Sequence, residues 1–230
     1  MDFKDVNLFL FDLDDTLINT REAYTIAQEK AVRTVFPHLT EIEVSTKLPT
    51  LRWLCKLFGS GNVEQYMRGF LISFPSLFSP SDKTTHILVE AYNQFFHAEL
   101  RCFKGVRTFL KQLADKKSRL CLISNGNQKS QFNKLEITQL NTFFSNEHCF
   151  ISGNFKPEQK KPSPYMIQLA CQITNTSPKK AIFFGNTESD ILAGNLAGVS
   201  TVFFGASSSL PQNLPDINKP NSWLYDWREI

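Results

Sequence analysis

Short, almost continuously apolar runs recur along the chain, and each ends in a small or polar residue. VNLFLF (6–11), RLCLIS (119–124), AIFFG (181–185) and VSTVFFG (199–205) are too short and too evenly apolar for amphipathic helices. They read as strands buried on both faces, rich in β-favouring Val and Phe. Between them, GVRTFLKQLADKK (105–117), SPYMIQLACQI (163–173) and ESDILAGNLAG (188–198) place apolar residues at steps of three and four and predict helices. Alternating strands and helices predict a parallel sheet with crossover helices on its faces. In such sheets ligands bind at the carboxyl ends of the strands. Asp12, Ser124 and Gly185 all fall at such ends.

One stretch breaks the rhythm. Residues 19–102 contain helical patterns (21–36, 47–58, 62–78, 83–100), with Pro37, Pro75 and Pro80 as breaks and no convincing strand. The expected organisation is an α/β core, 1–18 and 103–230, interrupted by a helical domain, 19–102. The stretch from Asn127 to Lys160 reads as core elements, residues 207–220 as an irregular surface segment, and SWLYDWREI as a short aromatic terminus. No internal repeat is visible.

Composition narrows the classes. With 230 residues, 42% hydrophobic and 20% charged, the chain can bury a sizeable core. A net charge of +3 with no long run of like charge argues against nucleic-acid binding. No window approaches the roughly 18 apolar residues of a membrane span. Cys55, Cys102, Cys121, Cys149 and Cys171 are odd in number and scattered, which predicts reduced thiols and a cytoplasmic protein. The four histidines show no ligand spacing.

The candidate chemistry begins with FDLDDT. Asp12 and Asp14 are two residues apart, so at a strand's end both can enter one pocket. Close carboxylates repel unless a cation or a shared proton offsets them, an arrangement that suits one as nucleophile and the other as acid. Taken alone, DLDDT is equally a turn with an N-cap aspartate, the reading given to Asp15.

FDLDDTLINT resembles the first motif, D-x-D-x-T, of the haloacid dehalogenase-like (HAD) hydrolase superfamily. Three more segments resemble that family's motifs in order: LCLISNG, KKPSPYM and FFGNTESDILAG. The resemblance implies a Rossmann-like parallel sheet flanked by helices, with the helical insert as a cap over the active site. It implies Asp12 as nucleophile, Asp14 as general acid/base holding a proton at the first step, and Thr16 shaping the turn. Ser124 and Lys161 would hold the transferred phosphoryl group. Backbone N–H groups of Leu13, Asn125 and Gly126 would complete its cradle. It implies Mg²⁺ as cofactor, held among Asp12, the Asp14 carbonyl, Asp190 and Asn186, with Glu188 facing solvent.

The expected reaction is hydrolysis of a small phosphorylated metabolite through an aspartyl-phosphate. The second aspartate of D-x-D disfavours the metal-free dehalogenase reaction. Asn186 departs from the family's G-D-x-x-x-D, removing a charge from the metal site. Two rivals remain open: a phosphomutase, and a noncatalytic phosphate-ligand-binding protein.

Overall fold

The computed structural model describes residues 3–78, 80–206, 210 and 215–230. The chain divides into two compact units, Met1–Asn19 with Arg101–Ile230, and Thr20–Leu100. Asn19 and Arg101, where the chain leaves and re-enters the first unit, are tied together: each backbone N–H donates to the other residue, Asn19 to the Arg101 carbonyl and Arg101 to the Asn19 side chain.

The first unit is built on a six-stranded parallel sheet. Its strands are β1 (Leu8–Phe11), β2 (Arg119–Ser124), β3 (Cys149–Ile151), β4 (Ala181–Gly185), β5 (Ser200–Phe204) and β6 (Ser222–Leu224), in the order β3-β2-β1-β4-β5-β6. β1 is central: Phe11 is in register with Leu122 of β2 on one side and Phe184 of β4 on the other. The chain therefore departs from β1 in both directions across the sheet, which opens a crevice at the strands' carboxyl ends. The Asp12 N–H continues the ladder by donating to the Phe184 carbonyl at 2.9 Å, fixing that aspartate at the crevice floor.

One face of the sheet packs Leu8, Leu10, Cys121, Ile123 and Phe183 against Met166, Ile167 and Ala170 of a helix spanning Tyr165–Ile173. The other buries aromatic rings: Phe11 stacks on Phe184 at 5.2 Å, and Trp227 meets Phe184 and Phe109 at 5.3 and 5.6 Å.

The eight α-helices of the described residues are α1 (Thr20–Val35), α2 (Glu41–Phe58), α3 (Val63–Ser73), α4 (Asp82–Glu99), α5 (Val106–Asp115), α6 (Gln128–Ile137), α7 (Tyr165–Ile173) and α8 (Glu188–Ala197). α1 to α4 make up the second unit. Its core stacks Tyr24 of α1 on Phe96 of α4 at 4.8 Å, with Tyr66 and Phe70 of α3 fully buried. A cavity of about 570 Å³ within this unit is lined by Arg21, Tyr24, Gln28, Arg52, Cys55 and Lys56, among others. Trp53, beside it in sequence, is exposed.

Two expectations need correction. α2 begins at Glu41 rather than 47, because Thr40 and Glu43 form a capping box that starts the helix early. α3 stops at Ser73, short of 78, since Pro75 disfavours helix at the residue before it. The short aromatic terminus is part of the core: Ser222–Leu224 joins the sheet beside β5 and Trp227 is 1% exposed. Of the segment expected to be irregular, residues 207–209 and 211–214 lie outside the described residues; Asp216–Asn218 form a 3₁₀ turn. No helix among the described residues is long and apolar enough to cross a membrane.

Candidate active site

The site collects at the carboxyl ends of β1, β2 and β4. Asp12 follows β1, Ser124 ends β2, Asp190 lies in the first turn of α8 just after β4, and Lys161 precedes α7; all four are buried. Lys161 Nζ stands 2.6 Å from Asp12 Oδ1 and 2.6 Å from Asp190 Oδ1, and donates to the Ile123 carbonyl at 2.9 Å. One ammonium thus bridges two carboxylates that lie 178 positions apart in sequence.

Asp190 is fully engaged by the protein. Its Oδ2 accepts from the Thr187 N–H at 2.9 Å, the Thr187 hydroxyl at 2.6 Å and the Asn186 N–H at 3.2 Å, which caps α8. Gly185 makes this approach feasible: a Cβ there would sit 2.4 Å from the Asp190 Cβ. The Thr16 hydroxyl lies 3.2 Å from both Asp12 Oδ2 and Asn186 Oδ1, gathering an acidic and an amide oxygen. Asp15 takes a left-handed φ of 58° in the turn, a conformation that Asp tolerates better than most residues.

The Asp14 side chain is 28% exposed. Lys134 Nζ donates to its Oδ1 at 2.7 Å and Gln131 Nε2 to its Oδ2 at 2.7 Å. Gln131 Nε2 also lies 2.6 Å from Ser124 Oγ. Each Asp14 oxygen thus accepts one N–H bond and keeps a second site, where the proton expected at the first step can sit. The Asn125 side chain pairs with the backbone of Lys161, donating to the carbonyl at 2.9 Å and accepting from the N–H at 3.0 Å. The Gly126 N–H donates to Ser152 Oγ at 3.0 Å. Glu188 is half-buried and accepts from Asn218.

Burial pushes Asp12 up to about 7, against the pull of Lys161 and with repulsion from Asp190 and Asp14 adding to the rise. Burial alone would lower Lys161, but the charges of Asp12 and Asp190 outweigh it and hold the ammonium above its usual range. Two carboxylates against one ammonium leave the buried trio one positive charge short.

That shortage, and a donor set made only of oxygens, bear on whether a metal fits. Asp12 Oδ2, Asn186 Oδ1 and the Asp14 carbonyl are hard donors of the kind Mg²⁺ takes, and Mg²⁺ needs few protein ligands because it keeps several waters. No cluster of three or more His, Cys, Asp or Glu side chains suited to a metal occurs among the described residues. The residues present fit a cation held by one carboxylate and neutral oxygens.

Gln131, Lys134, Ser152 and Thr187 were not anticipated. Thr187 stands three residues before Asp190 in a readable capping pattern. The α6 residues carry no local signal, because their partner Asp14 is more than a hundred positions away.

The model of the haloacid dehalogenase-like hydrolase family matches residues 9–204. The chain is 29% identical over 200 residues to glyceraldehyde 3-phosphate phosphatase of Pyrococcus abyssi, covering 86% of this chain and 81% of that protein. It is 26% identical over 200 residues to phosphoglycolate phosphatase of Aquifex aeolicus, covering 85% and 83%. Among solved structures, a Bacillus subtilis protein described as a HAD hydrolase, bound to magnesium, shares the fold at TM-score 0.66 and 20% identity, over 97% of this chain and 96% of that one. A HAD family hydrolase of Deinococcus radiodurans with bound phosphate and sodium does so at TM-score 0.66 and 16% identity, over 99% and 94%. The chain belongs to the haloacid dehalogenase-like hydrolase family.

Proposed function

We propose that this chain is a Mg²⁺-dependent phosphatase that hydrolyses a small phosphomonoester through an aspartyl-phosphate on Asp12. The observation that carries the reading is Lys161 Nζ held 2.6 Å from both Asp12 and Asp190 at the floor of the crevice, with Ser124 on the adjacent strand end. A single rigid ammonium beside a buried carboxylate can bind a phosphoryl group and limit its repulsion from the nucleophile.

Asp12 attacks phosphorus with a carboxylate oxygen. Lys161 and the Ser124 hydroxyl hold phosphoryl oxygens, helped by the backbone N–H groups of Leu13 and Asn125. Gly126, whose N–H is already used by Ser152, serves by letting β2 turn into α6. Asp14 gives a proton to the departing alkoxide and later takes one from the attacking water.

Mg²⁺, when bound, offsets negative charge on the phosphoryl group and the nucleophile. We assign Asp12, the Asp14 carbonyl and Asn186 to it. Asp190, with both oxygens already engaged, orients Lys161 and braces the Asn186 loop. The helical unit is proposed to act as a cap, which favours small metabolites over macromolecules. A cytoplasmic location is inferred from five free cysteines; burial pushes the Cys121 thiol to about 12 and Cys149 to about 11.

The test is phosphate release from a panel of small phosphate esters, in Mg²⁺ and in EDTA, for the wild type, Asp12→Asn and Asp14→Asn. Turnover that requires Mg²⁺ and vanishes in Asp12→Asn supports the reading. Turnover surviving Asp12→Asn removes the covalent mechanism.

A further inference from the structure

α6, the helix that follows β2, places two buried polar side chains, Gln131 and Lys134, one turn apart. Residues three apart share a helix face. Burying an ammonium or an amide is costly unless it meets a partner, and both meet Asp14, at 2.7 Å each. The Gln131 amide touches Ser124 as well, so one side chain joins the proposed acid to a proposed phosphoryl contact.

We propose that Gln131 and Lys134 are positioning residues for Asp14, setting the line along which its carboxyl meets the oxygen of the leaving group. The inference rests on the phosphatase reading above. In the first step an Asp12 oxygen bonds to phosphorus, the ester P–O bond breaks, and the leaving oxygen takes the proton carried by Asp14. In the second, a water oxygen bonds to phosphorus, the Asp12–phosphorus bond breaks, and the water's proton passes to Asp14. Both transfers need the same carboxyl at a defined place and angle. The α6 pair supplies it from outside the stretch that carries Asp12 and Asp14.

A pair of esters of similar shape separates positioning from mere support. The p-nitrophenolate of p-nitrophenyl phosphate departs without a proton, whereas the alkoxide of benzyl phosphate needs one. Because kcat/KM reports the steps up to leaving-group departure, it isolates the first transfer. Lys134→Met should lower kcat/KM for benzyl phosphate about 30-fold, part of the roughly 10²–10⁴-fold that general acid catalysis supplies, and for p-nitrophenyl phosphate less than about 3-fold. Lys134→Arg, which restores a cationic donor, should recover most of the loss, and Gln131→Leu should show the same split.

Activity retained on the aryl ester doubles as proof that the variants fold. Equal losses on both esters, or no loss on either, would overturn the positioning role while leaving the phosphatase reading intact. A wild type that hydrolyses neither these esters nor any in the panel would remove that reading, and this inference with it.

Discussion

The Trp227 indole N–H donates to the Thr16 carbonyl at 2.9 Å, joining the last turn of the chain to the loop that carries Asp12 and Asp14, the two aspartates proposed for catalysis. The same ring packs on Phe11 and Phe184 beneath that loop. Trp227→Phe keeps most of the packing and loses the hydrogen bond, so it should cost about 1 kcal/mol. Trp227→Ala also opens a cavity and should cost roughly 3–5 kcal/mol. Chemical denaturation of the two variants checks the order. Equal stability in both would mean that the ring does not support the loop.

Gly185 permits Asp190 to reach back to Lys161. A methyl at this position would meet the Asp190 side chain at 2.4 Å, well inside contact distance. Gly185→Ala should therefore displace the carboxylate and cost about 1–3 kcal/mol as overpacking. Activity should fall further than stability does, because Lys161 loses one of its two carboxylate partners. A fully active Gly185→Ala enzyme would show that the Lys161–Asp190 pair is dispensable.

The buried charge shortage gives stability a pH dependence. In the metal-free protein Asp12 sits at about 7, above its ordinary 3.8. The folded state therefore binds this proton more tightly than the unfolded state. The stability so gained is complete below 3.8 and is lost as pH rises through about 7. Mg²⁺ favours the ionised form, so its effect on Tm should be small at pH 5 and should grow toward pH 8. Thermal melts with Mg²⁺ and with EDTA across that range measure it; a Mg²⁺ shift that shrinks with rising pH would contradict the assignment of Asp12 to the cation.

In the proposed metal site Asn186 would bring an oxygen without a charge. Asn186→Asp should tighten Mg²⁺, read as a lower Mg²⁺ concentration for half-maximal Tm shift. Unchanged or weaker affinity would take Asn186 out of direct contact with the ion.

Much of this site was legible in the sequence because its parts stand at the ends of strands that announce themselves. VNLFLF, RLCLIS, AIFFG and VSTVFFG are continuous apolar runs, and β1, β2, β4 and β5 lie within them. β3 and β6 are three residues each, too short to show a period, and β6 follows a polar tail that masks it. The start of α2 was readable in principle from Thr40 and Glu43, but its first turns have few apolar residues to mark a face. Gln131 and Lys134 could not be read, since a polar residue on a helix signals solvent unless its distant partner is known. Their partner Asp14 is brought to them only by the pairing of β1 with β2.

The most direct measurement is acid-quenched mass spectrometry of the peptide containing Asp12, taken during turnover of a phosphate ester with Mg²⁺. The account expects that peptide to gain the mass of one phosphoryl group, transiently in the wild type and never in Asp12→Asn. Steady turnover with no phosphorylated peptide at any time, or with the group on another residue, would contradict it.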